Sequence, residues 1–198
     1  MPPFFNFKEM INPLRNIGVF VLICTVMNGR AQYEAGSFLN PYGSDAGKTP
    51  VQAASTTSEW TTEELISANT AVNVMYLTEL EKEVILYVNL ARLYPEKFAR
   101  IEVADYVGPA KYGGYLENSP YKRSLMERLN SMSPCPTLSP TAGLSDYASC
   151  FAKESGDAGI TGHSRKKCEK GYFAECCSYG MDTARDIVLQ LLIDHDVE

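Results

Sequence analysis

The sequence lacks any uninterrupted apolar run of about 18 residues, which is the length that a membrane-spanning helix requires. It also lacks a long run of Lys and Arg, and it carries a net charge of −6 with an isoelectric point near 5.1. A surface that binds nucleic acid normally concentrates positive charge, so nucleic acid is not an expected partner. The 198 residues, 45 % hydrophobic and 21 % charged, have the composition of one globular domain.

The first 31 residues have the pattern of a secretory signal peptide. Lys8 and Arg15 precede the apolar run 17–27, and small residues stand before a cleavage point after Ala31. We predict cleavage there, and hence a secreted protein, extracellular or periplasmic, with no membrane span. The alternatives are an uncleaved anchor, a buried helix or a lipoprotein modified at Cys24, but the run is short for a span and lacks small residues before Cys24.

Five cysteines follow the predicted cleavage point, namely Cys135, Cys150, Cys168, Cys176 and Cys177. Because exported proteins pass through an oxidising compartment, all five are disulfide candidates, and the odd number leaves one over. We expect either one thiol outside a disulfide or a partner cysteine outside this chain. The spacings do not form the paired C-x₂-C knuckles of a zinc cluster.

The rest of the chain divides into a linker and a domain. Residues 32–60 are rich in Gly, Ser, Thr and Ala without an apolar period, which predicts a flexible linker. The domain is expected over residues 61–198. Thr61 and Thr78 are each followed three residues later by Glu, a capping-box pattern that marks two helix starts.

Further helices are predicted from apolar spacing and from proline positions. Pro95 ends the second helix and begins a short one, and Ser119 caps another. The pattern also predicts a helix over about 142–155 and a last helix capped by Asp182 or Thr183. A loop is expected over 106–115 and, from aromatic and β-compatible residues, a short strand over 172–179.

The order of three short motifs resembles that of the CAP superfamily, also called the SCP-like extracellular domain. The motifs are Asn89-Leu90-Ala91-Arg92 on a core helix, Gly162-His163-Ser164-Arg165, and Ala174-Glu175-Cys176. The superfamily includes cysteine-rich secretory proteins, antigen 5 proteins and plant pathogenesis-related proteins. The resemblance covers about residues 78–196 and implies an α+β fold, an α-β-α sandwich, with the closing part of the sheet missing here.

The resemblance also implies a site. In the superfamily a histidine and a glutamate from these motifs face a cleft, so His163 and Glu175 are expected to line it. Neutral imidazole binds zinc and carboxylates orient the ligands, so His163 is a candidate ligand for zinc or another divalent cation. The alternatives are that His163 only makes hydrogen bonds within its loop and that Glu175 only forms a salt bridge.

Two departures from the superfamily pattern lead to further expectations. Cys176 stands where the superfamily usually has Asn, so we expect a disulfide to anchor this segment. The second histidine and the final strands would come after Glu198, which suggests C-terminal truncation and would account for the odd cysteine. His195 is a weak substitute for that histidine, since a solvated position at a helix end suits it better, and Asp194 is a weak substitute for the second acid.

The resemblance does not imply a single reaction, because the superfamily includes ligand-binding, signalling and proteolytic proteins. We predict a secreted binding or interaction module whose partner is an extracellular ligand or protein. No residue is assigned a catalytic role, because no Ser/His/Asp or Cys/His set has a recognisable spacing. The alternatives are a metal-assisted hydrolase and a non-functional fragment with an exposed sheet edge.

Overall fold

The computed structural model describes residues 59–169 and 175–195. The predicted signal peptide, and the predicted linker as far as residue 58, lie outside the described residues. Six α-helices are described, together with a π-helical turn at Ala99–Val103 and a 3₁₀ turn at Ala110–Tyr112. The helices are α1 Thr62–Ala68, α2 Glu79–Leu93, α3 Pro95–Phe98, α4 Pro120–Ser131, α5 Ala142–Ala158 and α6 Ala184–Ile193.

The predicted helix starts are confirmed. Thr61 and Thr78 form complete capping boxes, in which the hydroxyl accepts from the backbone N–H of Glu64 or Glu81 and that glutamate accepts in return. Thr183, the second of the two predicted caps, accepts from the backbone N–H of Asp186 and begins α6. These bonds satisfy N–H groups that have no partner inside the helix, which is why the sequence marks these ends so clearly.

The main core forms between α2 and α6, which pack against each other, with α1, α3 and α4 around them. In α2 and α6 buried apolar side chains recur at three- and four-residue intervals, as expected of helices with an apolar face, and most of α6 is buried. The residues at this spacing include Val84, Tyr87, Val88 and Ala91 of α2 and Ile187, Val188, Leu191 and Leu192 of α6. Among the described residues, no helix has both the length and the apolarity needed to cross a membrane.

The N-terminal edge of the domain is tied to the core through Trp60. Its ring is buried, although it stands at the end of the predicted linker, and its Nε1–H donates to Glu102 Oε1 at 2.9 Å. Glu102 lies on the π-helical turn and is itself fully buried. Arg185 of α6 donates to the other carboxylate oxygen at 2.7 Å. One buried carboxylate therefore joins the start of the domain to its last described helix.

The motif residues Asn89 and Arg92 have a structural role. Both lie on the inner face of α2 and are buried. Arg92 Nε donates to the carbonyl of Pro136 at 2.7 Å, and the Arg92 carbonyl accepts from the N–H of Cys135 at 2.8 Å. Asn89 bonds to Leu138 of the same segment. Residues 135–138 therefore run along α2 without forming an element of their own.

The predicted α+β sandwich is wrong for the described part of the chain, which is mostly helical and contains no sheet. Of the predicted strand 172–179, residues 172–174 lie outside the described residues, residues 175–178 have no regular secondary structure, and Tyr179 makes an isolated bridge. A strand needs a neighbouring strand to bond its backbone. At Tyr179 a side chain also bonds the backbone, because Gln190 of α6 accepts from the Tyr179 N–H and donates to the Tyr179 carbonyl, each at 3.2 Å.

Helix α5 has a small apolar cluster of its own, separate from the main core. Phe151 is fully buried there, with Ala148, Ala152 and Cys177 packed against it. The cluster joins α5 to the segment that follows Glu175. The two expected halves of the cleft, the loop after α5 and the segment at Glu175, meet at this cluster.

Candidate metal centre

The loop that carries His163 is fastened back onto α5. The helix ends at Gly159, which adopts the left-handed conformation with φ 62°. A disulfide joins Cys150 of α5 to Cys168, with a sulfur–sulfur distance of 2.00 Å. Of the five predicted disulfide candidates, these two are confirmed as a pair.

Glu154, one turn after Cys150, provides a second contact that holds this loop to α5. Its carboxylate accepts hydrogen bonds from the backbone N–H groups of Lys166, Lys167 and Cys168. These bonds, that from Cys168 above all, hold the pKa of Glu154 below its usual value. The disulfide and the carboxylate together fix where the loop leaves the helix, and therefore where His163 and Arg165 stand.

The structure brings His163 and Glu175 together. His163 Nδ1 lies 2.7 Å from Glu175 Oε1, a hydrogen-bond distance. The imidazole is 40 % exposed and the carboxylate is 11 % exposed, so the pair lies at the edge of a partly buried site. Tyr179 adds a support, because its hydroxyl donates to the carbonyl of Gly162 at 2.6 Å.

Cys177 completes a group of three potential ligands. Its Sγ lies 3.6 Å from His163 Nδ1 and 3.7 Å from Glu175 Oε1. One ligand atom from each of the three residues lies within 4.8 Å of the others, so the group could hold a metal ion. Imidazole nitrogen, carboxylate oxygen and thiolate sulfur are all donors that zinc accepts.

Arg165 occupies the other side of Glu175. One guanidinium nitrogen lies 2.9 Å from Oε1, and the second forms an ion pair with Oε2. The guanidinium carbon lies 3.8 Å from the centre of the Phe151 ring, in cation–π geometry, and the side chain is 8 % exposed. The Arg165 guanidinium therefore lies between the Phe151 ring and the Glu175 carboxylate, and it pairs with the charge of that carboxylate.

The two residues proposed as weak substitutes do not join this group. His195 lies between the rings of Tyr115 and Tyr121, with centroid distances of 5.4 and 5.2 Å, and its Nδ1 is 3.3 Å from Ser119 Oγ. It is thus partly buried, contrary to the expectation of a solvated histidine, because Tyr115 of the predicted loop and Tyr121 of α4 both pack against its ring. Asp194 ends α6 in the left-handed conformation.

The disulfide expected to anchor Cys176 is not formed. The thiol is buried and outside any disulfide, and burial, followed by the charges of Cys177 and Asp194, raises its pKa to about 12. Apolar packing holds this position instead. Cys135 is also buried, and its Sγ contacts the carbonyl of Ser133 at 3.6 Å.

Sequence reasoning missed the roles of Cys177 and Arg165. A signal was present, because Arg165 follows His163 by two residues and Cys177 follows Glu175 by two. In an extended chain, residues two apart lie on the same face. Each predicted site residue therefore had a neighbour with suitable chemistry on its own side of the chain.

Comparisons of this chain with protein-family models, with curated proteins and with solved structures found no match. The resemblance to the CAP superfamily therefore stays a prediction.

Proposed function

We propose that this chain is a secreted binding module related to the CAP superfamily, and that it binds a divalent transition metal, zinc foremost, through His163, Glu175 and Cys177. One observation carries the proposal: the ligand atoms of these three residues lie together at one edge of a partly buried site. The disulfide between Cys150 and Cys168 supports export, because such bonds persist in oxidising compartments.

Two of the three distances between ligand atoms already suit tetrahedral zinc. Zinc–sulfur bonds of about 2.3 Å and zinc–nitrogen or zinc–oxygen bonds of about 2.0–2.1 Å place sulfur about 3.5–3.6 Å from the other two donors. Cys177 Sγ lies 3.6 Å from His163 Nδ1 and 3.7 Å from Glu175 Oε1. The sulfur is therefore at the separation that a shared metal ion requires.

The third distance is shorter than a shared zinc ion requires. A shared tetrahedral zinc would separate nitrogen and oxygen by about 3.3 Å. Nδ1 and Oε1 are 2.7 Å apart because they share a hydrogen bond. Metal binding at Nδ1 would move the shared proton to Nε2 of the imidazole or to solvent, and would widen this contact by about 0.6 Å. His163 can give way, since it is the most exposed of the three residues.

Three protein ligands leave one tetrahedral position for an outside group. The bound metal would supply a Lewis-acidic position at which a carboxylate, thiol or imidazole of an extracellular partner could bind. A binding module of this kind recognises its partner through the metal and through the surrounding surface. This is the binding role that we propose for the site.

Cobalt(II) titration of the full chain tests the proposal, because tetrahedral cobalt has characteristic visible bands and a thiolate ligand adds a charge-transfer band. We expect one equivalent of cobalt to bind with both signals and zinc to displace it. Cys177→Ser should lose the charge-transfer band, and His163→Ala should bind at least about tenfold more weakly, in line with the loss of one ligand.

Two matched variants serve as controls. His195→Ala removes the other histidine of the chain, and Cys176→Ser removes the neighbouring thiol; both should bind cobalt like the parent protein. The proposal is overturned if the parent protein binds no cobalt, or if His163→Ala and Cys177→Ser bind as the parent does.

A further inference from the structure

We propose that Arg165 competes with the metal ion for the carboxylate of Glu175. Its guanidinium binds the carboxylate until a cation displaces it, and we call this ion pair the arginine lock. The inference rests on the proposed function, since it concerns the same site, and it adds how the site is regulated. Its basis is that the two guanidinium nitrogens of Arg165 engage the two carboxylate oxygens of Glu175. The carboxylate that the metal needs is already neutralised by a residue of the same chain.

The competition follows from the positions of the charges. Oε1 is the oxygen that faces His163 and Cys177, and it is also the one that lies 2.9 Å from an Arg165 nitrogen. A cation bound to Oε1 would therefore stand next to a guanidinium, in a site that is only partly open to solvent. Like charges at such short range repel, and reduced solvent screening strengthens the repulsion.

Arg165 also has a surface on which to remain after release. Its guanidinium lies against the Phe151 ring at 3.8 Å, a contact that does not depend on Glu175. Sliding across the ring frees Oε1 while a bond to Oε2 is kept. The lock can thus open without unfolding the loop, which Cys150–Cys168 and Glu154 hold to α5.

The competition predicts that removing the arginine charge strengthens metal binding. Arg165→Met keeps much of the side-chain volume but carries no charge, and we expect it to bind cobalt or zinc about tenfold more tightly, or more, than the parent chain. Lys167→Met removes a charge from the same loop without touching Glu175, and its affinity should stay unchanged. If Arg165 only maintained the structure of the site, Arg165→Met would bind the metal more weakly than the parent chain, because the ligands would be less well positioned.

Tighter binding by Arg165→Met alone supports the lock. Equal or weaker binding by Arg165→Met, with normal binding by the parent, overturns the lock and leaves the metal site intact. Absence of binding by both proteins overturns the proposed function itself. If Arg165→Met does not fold, Arg165→Gln decides: it carries no charge but keeps a polar end, so the lock requires tighter binding than the parent, and equal or weaker binding overturns it.

Discussion

Asn89 pairs with Leu138 through both backbone groups of that leucine. Its Nδ2 donates to the Leu138 carbonyl at 3.0 Å, and its Oδ1 accepts from the Leu138 N–H at 2.7 Å. The same Nδ2 group also donates to the carbonyl of Ala68 at 2.9 Å. A single fully buried side chain therefore makes hydrogen bonds to backbone groups at the end of α1 and in the segment that follows α4.

The first prediction concerns this amide. Asn89→Ala should lower the free energy of unfolding by about 1–3 kcal/mol, because it removes the acceptor of the Leu138 N–H and one of the donors to each of the carbonyls of Ala68 and Leu138. Urea unfolding followed by circular dichroism measures the change. Asn130→Ala, at an exposed position of α4, is the matched control and should change stability by less than about 0.5 kcal/mol. Equal changes in the free energy of unfolding would show that the Asn89 hydrogen bonds stabilise the fold no more than an exposed asparagine does.

The second prediction concerns the buried carboxylate of Glu102. Glu102→Gln should lower the free energy of unfolding by about 2–4 kcal/mol, because the amide cannot accept from both Trp60 Nε1 and Arg185 Nε as the carboxylate does. Trp60 is the sole tryptophan, so its fluorescence follows unfolding directly. Glu127→Gln, at an exposed position of α4, should have almost no effect. A loss below about 1 kcal/mol in Glu102→Gln would contradict a structural role for this carboxylate.

The third prediction concerns the fastening of the His163 loop by Glu154. Glu154→Gln should speed native-state trypsin cleavage after Lys166 and Lys167, because it weakens charge-assisted bonds to three backbone N–H groups. Asp157→Asn is the control on the same helix, since Asp157 pairs only with exposed Lys153 among the described residues. Cleavage at the parent rate in Glu154→Gln would show that the disulfide alone holds the loop.

The pH dependence of this fastening has a defined sign. The pKa of Glu154 is lowered in the folded chain, so its contribution is complete above the usual carboxyl pKa of about 4.5 and is lost as the pH falls through the lowered value. Amide exchange in residues 166–168, corrected for intrinsic rates, should therefore become faster below about pH 4.5 in the parent chain. In Glu154→Gln this step should be absent.

The fourth prediction concerns Cys176. Because burial raises its pKa to about 12, almost no thiolate is present at pH 8, and iodoacetamide should label Cys176 in the denatured chain but hardly in the native one. Peptide mass spectrometry measures the labelling. The raised pKa also means that the contribution of Cys176 to stability is complete below the ordinary value of 9.0 and is lost as the pH rises towards 12. Cys176→Ala should remove that part of the alkaline destabilisation.

The helices could be predicted from the sequence because their ends depend on local contacts. Thr61, Thr78 and Thr183 make their caps with residues three positions away, and Pro95 interrupts the backbone bonding at its own position. The strand over 172–179 could not be decided in this way. Its backbone needed a partner from a distant part of the chain, and Gln190 supplied it for Tyr179.

The candidate site likewise contains some residues that could be predicted from the sequence and others whose roles only the tertiary structure shows. His163 and Glu175 were predicted from a resemblance to line one cleft, and the structure places them 2.7 Å apart. Cys177 and Arg165 were seen in the sequence only as a disulfide candidate and as part of a motif. Their roles depend on how the loop after α5 meets the segment at Glu175, which the apolar cluster around Phe151 determines.

The sequence by itself determined where the helices begin and end and which of their faces are apolar, because neighbours three or four residues apart settle both properties. The tertiary structure alone decided that Asn89 and Arg92 hold a loop, that Cys150 pairs with Cys168, and that Arg165 binds the carboxylate of Glu175. These contacts join residues 10 to 49 positions apart. Such pairs meet only when the burial of apolar surface has fixed the packing of α2, α5 and α6, and no local pattern records that packing.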